Sequence, residues 1–128
     1  MFENLEIMRT AHAMAAHSGA RQALVAENIA NADTPGYRGR DLRPFADVFR
    51  QSKADAMRVT RDGHISAPDV PQAAFATEPQ PGISPNGNSV SIEVEMIKAV
   101  DLRQSHETAL SIYRFSANII RASLGRMG

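Results

Sequence analysis

The sequence predicts a mainly α fold: two long terminal helices packed antiparallel as a coiled-coil-like pair, joined by a proline-rich, mostly irregular middle with a short hairpin. Three observations carry this. Met1 to about Asn31 contains no proline and is rich in the good helix formers Ala, Met, Leu and Gln. Ser89 to Leu124 contains neither glycine nor proline, and six of the seven prolines fall between Arg43 and Asn88. The 128 residues amount to one structural unit in three stretches, 1–42, 43–88 and 89–128.

The first helix carries its apolar residues on two faces. Leu5, Met8, Ala15, Ala23, Ala26 and Ile29 or Ala30 approximate one face, and Phe2, Ala13, Ala16, Ala20 and Leu24 the other. Such a helix needs covering on more than one side, and a short chain supplies one neighbour, so further subunits are expected to supply the rest. Its stop is chemically explicit. Asn31 and Asp33 can bond nearby backbone, Pro35 lacks an N–H, and Gly36 permits φ > 0.

In the middle, Pro44 to Lys53 reads as a short helix carrying Phe45, Val48 and Phe49. Arg58 to Ile65 reads as a small hairpin turning at Asp62-Gly63. From Ala67 to Asn88 the spacing of prolines predicts an irregular loop.

The second helix has Asn88, Ser89 and Ser91 as candidate N-caps, Glu93 and Glu95 near its start, and Arg114, Arg121 and Arg126 toward its end, as the helix dipole favours. Ala99, Leu102, Ala109, Tyr113, Ser116 and Ile120 keep the 3,4 spacing of a packing seam, with His106 admitted at one position. Leu110, Ile112, Ala117, Ile119 and Leu124 widen it.

Composition and motifs exclude more than they assign. Net charge is zero, with 14 basic against 14 acidic residues, and no stretch is basic enough for a nucleic-acid footprint or a membrane surface. No cysteine is present for disulfides or thiolate metal sites. No apolar run approaches the roughly 18 residues of a transmembrane helix, and Glu3, Glu6 and Arg9 interrupt any Sec signal.

Taken alone, the residues describe a soluble cytosolic protein. His12, His17, His64 and His106 lack metal-ligand spacing, no G-x-S-x-G occurs, and Asp33-Thr34-Pro35-Gly36 lacks the glycines and lysine of a phosphate loop. No catalytic, metal, cofactor or small-molecule site is therefore expected.

Asn28 and Asn31 share one face of the helix end, where they serve either helix-to-helix amide bonds or capping of the last turn. Tyr37 with Arg38 is either an interface anchor or a ring folded back on Ile29 or Val25.

The run N-I-A-N-A-D-T-P-G-Y-R, from Asn28 and Ile29 through Asn31, Asp33, Thr34, Pro35, Gly36 and Tyr37 to Arg38, resembles the N-terminal signature of the flagellar rod and hook protein family. Glu27 departs from it, since many members carry Ser or Asn there. The extension through Gly39, Arg40, Asp41 and Leu42 resembles the proximal rod members, as do Ala109 to Arg114 and Ile119 to Gly125, while Val90 to Ala99 resembles the second signature of the family as a whole. The short middle argues against the distal rod and hook members.

The resemblance implies a non-enzymatic structural subunit of the proximal rod of the bacterial flagellar basal body, whose terminal helices form an assembly core that transmits torque. It implies as partners other rod proteins, further copies of the chain, the rod-to-ring adaptor, the inner-membrane ring and the flagellar export apparatus. It also implies a periplasmic location reached without a cleaved signal. The alternatives are the sibling proximal rod member and, from another class, a soluble helical adaptor.

Overall fold

The computed structural model describes residues 2–55, 77–79 and 85–125. Its elements are α1 (Phe2–Ala30), β1 (Arg40–Leu42), α2 (Phe45–Asp55), β2 (Thr77–Pro79) and α3 (Ile92–Gly125). The fold is mainly α, and its largest packed interface lies between α1 and α3. The expected hairpin at 58–65 lies outside the described residues, as does most of the stretch from 67 to 88.

The end of α1 meets the start of α3, because Asn28 bonds the Glu95 carboxylate directly. From that point the helices run back along each other as an antiparallel pair. On α3 the buried residues are Glu95, Leu102, Ala109 and Ser116, a step of seven each time. On α1, Ala11, Ser18 and Val25 repeat the same step.

A repeat of seven is shorter than two full turns of a straight α-helix, so keeping it in contact winds the pair as a left-handed coil. Ala11 and Ser18 on α1 and Ala109 and Ser116 on α3 are small, which lets the backbones approach closely there. The α1 seam is thus neither of the two apolar faces described above. Two of its buried positions, Ser18 and Asn28, are polar and do not register in a search for apolar periodicity.

Of the α3 seam read from spacing, Leu102, Ala109 and Ser116 are buried and Ala99, His106 and Ile120 are half-buried, while Tyr113 and Leu124 are exposed. Tyr113 stands off the row that repeats by seven. Leu124 lies past the end of α1: Asn28 is 26 residues from Phe2, and 26 residues beyond Glu95 is Arg121. The last turn of α3 overhangs, and Arg121 stands just before it, so that turn holds no basic residue.

The short helix α2 begins where Pro44 accepts from Asp47 and Val48 N–H at 3.0 and 3.2 Å. Proline suits this position because it has no N–H to leave unsatisfied. Phe45, Val48 and Phe49 share one face: Val48 is buried, and the two rings stack at 5.7 Å. Phe45 also packs on the His17 ring of α1, with centroids 5.5 Å apart.

Thr77–Pro79, within the stretch expected to be irregular, instead forms a strand antiparallel to β1, pairing Arg40 with Pro79, Asp41 with Glu78 and Leu42 with Thr77. Three residues are too few for periodicity to reveal, and a proline argues against any strand. It is tolerated because Arg40 directs its N–H and C=O away from Pro79 to Asn28, at 3.0 and 2.8 Å. A strand residue without an N–H thus faces one that asks for none.

Candidate assembly site

The signature run is a clasp that closes one end of the helix pair. Thr34-Pro35-Gly36-Tyr37 forms a turn in which Tyr37 N–H donates to Thr34 C=O at 3.2 Å. Pro35 supplies the fixed φ of the second position and Gly36, at φ 73°, the left-handed φ of the third, as a type II turn requires.

The segment before α3 lies against this turn. Gly36 N–H donates to Asn86 C=O and Ser89 N–H to Tyr37 C=O, both at 3.1 Å, and Gly39 N–H donates to Ser89 Oγ at 2.8 Å. Gly87, also left-handed at φ 79°, is close enough that a Cβ on it would stand 3.4 Å from Gly36 Cα.

Asn88 is the centre of the clasp. It does not cap its own helix; its buried amide Nδ2 approaches the carbonyls of Asn31, Ala32 and Thr34 at 2.8–2.9 Å, while Oδ1 accepts from Val90 N–H at 2.8 Å. The end of a helix leaves carbonyls without intrahelical donors. Here a side chain 54 to 57 residues away satisfies them.

The three candidate N-caps therefore divide the work: Asn88 caps α1, Ser89 bonds the backbone of Tyr37 and Gly39, and Ser91 C=O accepts the first α3 bond from Glu95 N–H at 3.0 Å. Ser91 Oγ donates to the Glu93 carboxylate at 2.9 Å.

Asn28 and Asn31 separate into the two roles open to them. Asn31 donates back to Glu27 C=O at 2.8 Å and caps its own helix. Asn28, buried, bonds both β1 and α3, so its single amide behaves like a strand residue toward Arg40 and like a cross-link toward Glu95.

Tyr37 is half-buried and folds back toward the last turn of α1, its hydroxyl 3.4 Å from both Glu27 Oε1 and Asn28 Oδ1. Glu27, the departure from the family pattern, also takes the Arg40 guanidinium at 2.5 Å. Ile29, Asp33, Thr34, Pro35 and Arg38 are exposed.

Behind the clasp lies a charged network that the spacing of the sequence did not reveal. Arg21 holds Asp41 through two bonds at 2.6 and 2.9 Å. Lys98 bridges Asp41 and Glu95 at 3.1 and 3.0 Å, and Glu95 is 0% exposed. Three elements are joined by residues of which only Glu95 was singled out by type, as a partner of the helix dipole.

Burial alone would raise the Asp41 pKa above 3.8, but hydrogen bonds from Arg21 and Lys98 outweigh it and hold the carboxyl below that value. Arg21 is raised, chiefly by its bond to Asp41.

His17 lies beside this network, buried, with Nε2–H donating to Arg43 C=O at 2.8 Å. Burial lowers its pKa below 6.5, and the nearby Arg21 adds to the effect, against opposing contributions from the Arg43 bond and Asp41. Below pH 6.5 the unfolded chain takes up a proton that the folded chain resists, so stability falls as the pH drops through 6.5 toward the folded-state pKa. The Asp41 contribution is present above 3.8 and is lost only at lower pH. Thermal melts from pH 8 to 5 are therefore expected to show declining stability in the natural chain and a flatter profile in His17→Gln.

Among the described residues no three His, Asp or Glu side chains gather as a metal site, and no helix is long and apolar enough to cross a membrane. The site's chemistry is mechanical: it closes two helices in a fixed register. Outside it, large apolar side chains stand in solvent at both ends of the pair, among them Leu5, Ile7, Met96, Ile97 and Phe115.

A family model described as flagella basal body rod protein matches residues 10–38, from the seam of α1 to the end of the signature turn. The chain belongs to the flagellar basal body rod protein family, and it is a structural subunit of that rod. Its relatives there are named flagellar basal body rod protein FlgB. That of Agrobacterium fabrum is 28% identical over 116 residues, 86% of each chain. That of Escherichia coli K12 is 31% identical over 103 residues, 71% of this chain and 72% of the relative. That of Cereibacter sphaeroides is 32% identical over 96 residues, 72% and 73% of the two chains.

Proposed function

We propose that the chain is a non-catalytic proximal rod subunit whose α1–α3 pair is completed only on assembly, so that the rod transmits torque through shared helix packing. The observation that carries this is the exposed apolar surface at both ends of a pair whose own seam is already buried. Among the described residues nothing covers it, and neighbouring rod subunits do. The rod-to-ring adaptor and inner-membrane ring are its proposed neighbours at the base, and the flagellar export apparatus its proposed route to the periplasm.

Deletion of the gene is expected to leave basal bodies with an inner-membrane ring and no rod, hook or filament, restored by the intact chain. Complete flagella in the deletion strain would contradict the proposal. Complementation by Gly36→Val is expected to fail or nearly fail, because a β-branched residue at φ 73° costs about 2 kcal/mol or more. Swimming equal to the natural chain would show that the clasp does not need that conformation.

A further inference from the structure

One face of α3 carries a pattern that the seam does not explain. Because the seam repeats by seven at 95, 102, 109 and 116, the positions two before each seam residue form a row nearly opposite it. That row is Glu93, Val100, Glu107 and Arg114, continuing to Arg121.

Beside its first half stand Val94, Ile97 and Asp101, and beside its second half Phe115. Ile97, Val100 and Phe115 are 64%, 68% and 67% exposed, and the four outer charges at 93, 101, 114 and 121 are exposed as well. Glu107 is already paired with Arg103 at 3.1 Å. The first half of this face is thus apolar and acidic, and the second half is aromatic and basic. A helix dipole alone would account for the order of charges. It does not account for large apolar side chains interleaved with them in water.

We propose that this face is a head-to-tail contact between copies of the chain, the second half of α3 of one copy lying along the first half of α3 of the next. The inference rests on the rod-subunit reading and specifies which surface meets which.

A parallel offset of three heptads, about 31 Å at 1.5 Å per residue, superimposes the two halves in register. Phe115 then comes level with Val94, Asn118 with Ile97 and Arg114 with Glu93, while Arg121 comes level with Val100, one position from Asp101. Opposite charges flank an apolar centre, and the two surfaces joined are different. An unlike pair of surfaces repeats without closing, which yields a helical polymer instead of a dimer.

The chain has no cysteine, so introduced pairs give every disulfide between copies of it. In rods purified from cells expressing Ile97→Cys/Asn118→Cys, oxidation is expected to give a ladder beyond dimers. A product that stops at dimer would overturn the proposal in favour of a two-fold contact. No cross-link in rods that contain the variant and support swimming would also overturn it, assigning the face to another rod protein and leaving the subunit role intact. Absence of the natural chain from the rods would contradict the subunit role itself.

Charge reversal tests the same contact independently. Glu93→Arg/Asp101→Arg and Arg114→Glu/Arg121→Glu are each expected to abolish swimming, and the combined four-site variant to regain it, because its halves are again opposite in charge. Swimming by either double variant, or none by the combined one, would overturn the proposal.

Discussion

Asn88→Ala is expected to lower the stability of the isolated chain by about 3 kcal/mol, read from chemical denaturation at neutral pH. The side chain is 1% exposed and serves three carbonyls at the end of α1 together with one N–H at the approach to α3. Alanine leaves the Ala32 C=O and the Val90 N–H turned inward with no replacement partner, while the Asn31 and Thr34 carbonyls keep the Thr34 and Tyr37 N–H groups, and the cost of an unsatisfied buried group exceeds the net worth of the bond it loses.

Ser91→Ala is the comparison. Its hydroxyl bonds an exposed Glu93, and the backbone carbonyl that starts α3 is unchanged, so a loss of about 1 kcal/mol or less is expected. A similar loss in both variants would show that Asn88 acts as an ordinary N-cap and does not tie the two helices together.

The second large effect is at Lys98. Lys98→Met keeps the aliphatic stem but removes the cation between Glu95 and Asp41. Asp41 keeps both bonds from Arg21, whereas Glu95, with no exposed surface, loses its ion pair with Lys98 and keeps the bond from Asn28. Breaking a buried ion pair by removing one partner costs about 3–5 kcal/mol, and the 23% exposure of Lys98, with the attraction between Arg21 and Glu95 that remains, argues for the lower end of that range.

Adding Glu95→Leu should recover most of the loss, because an apolar pair of similar volume is often no less stable than the buried ion pair it replaces. If the double variant is instead the sum of two large losses, the pair contributes net stability. The cycle of single and double variants separates these outcomes.

The recovered variant is then expected to be poorer in rod assembly than in folding. A charged residue at a seam position penalises every alignment of α1 and α3 that does not return its partner, and leucine penalises none of them. Rod assembly that recovers together with folding would contradict a role of Glu95 in fixing register.

The parts of this fold legible in the sequence were those written in proline and glycine. The absence of proline from both ends and its concentration between Arg43 and Asn88 mark the two long helices, and Pro35-Gly36 marks the turn. Helix α2 was legible from Phe45, Val48 and Phe49, which share a face only if the segment is helical.

What stayed hidden involved polar groups satisfied at long range. Ser18 and Asn28 lie in the α1 seam because small size and a buried amide suit close contact, and neither adds to an apolar pattern. Asn88 has the side chain and the place of an N-cap, yet its partners are carbonyls of another helix. Glu95 reads only as an acidic residue at a helix start, and its partners Lys98, Asp41 and Arg21 are brought together only by the fold. Such residues are recognisable by residue type, but only the fold supplies their partners.

Exposed apolar side chains stand at both ends of the helix pair, but polar closure belongs to one end alone, which gives the pair two different halves. Asn28, Asn88 and the Arg21–Asp41–Lys98–Glu95 network all lie toward the clasp. The far end, where the start of α1 meets the end of α3, carries exposed Leu5, Ile7, Ile112, Phe115, Ile119 and Leu124. Amide hydrogen exchange, measured on the isolated chain and on purified rods, tests this division most directly. The isolated chain is expected to protect residues 25–42 and 88–102 and to exchange quickly at 2–10 and 112–125, with those outer segments becoming protected in the rod. Uniform protection along both helices in the isolated chain would contradict completion of the subunit by assembly.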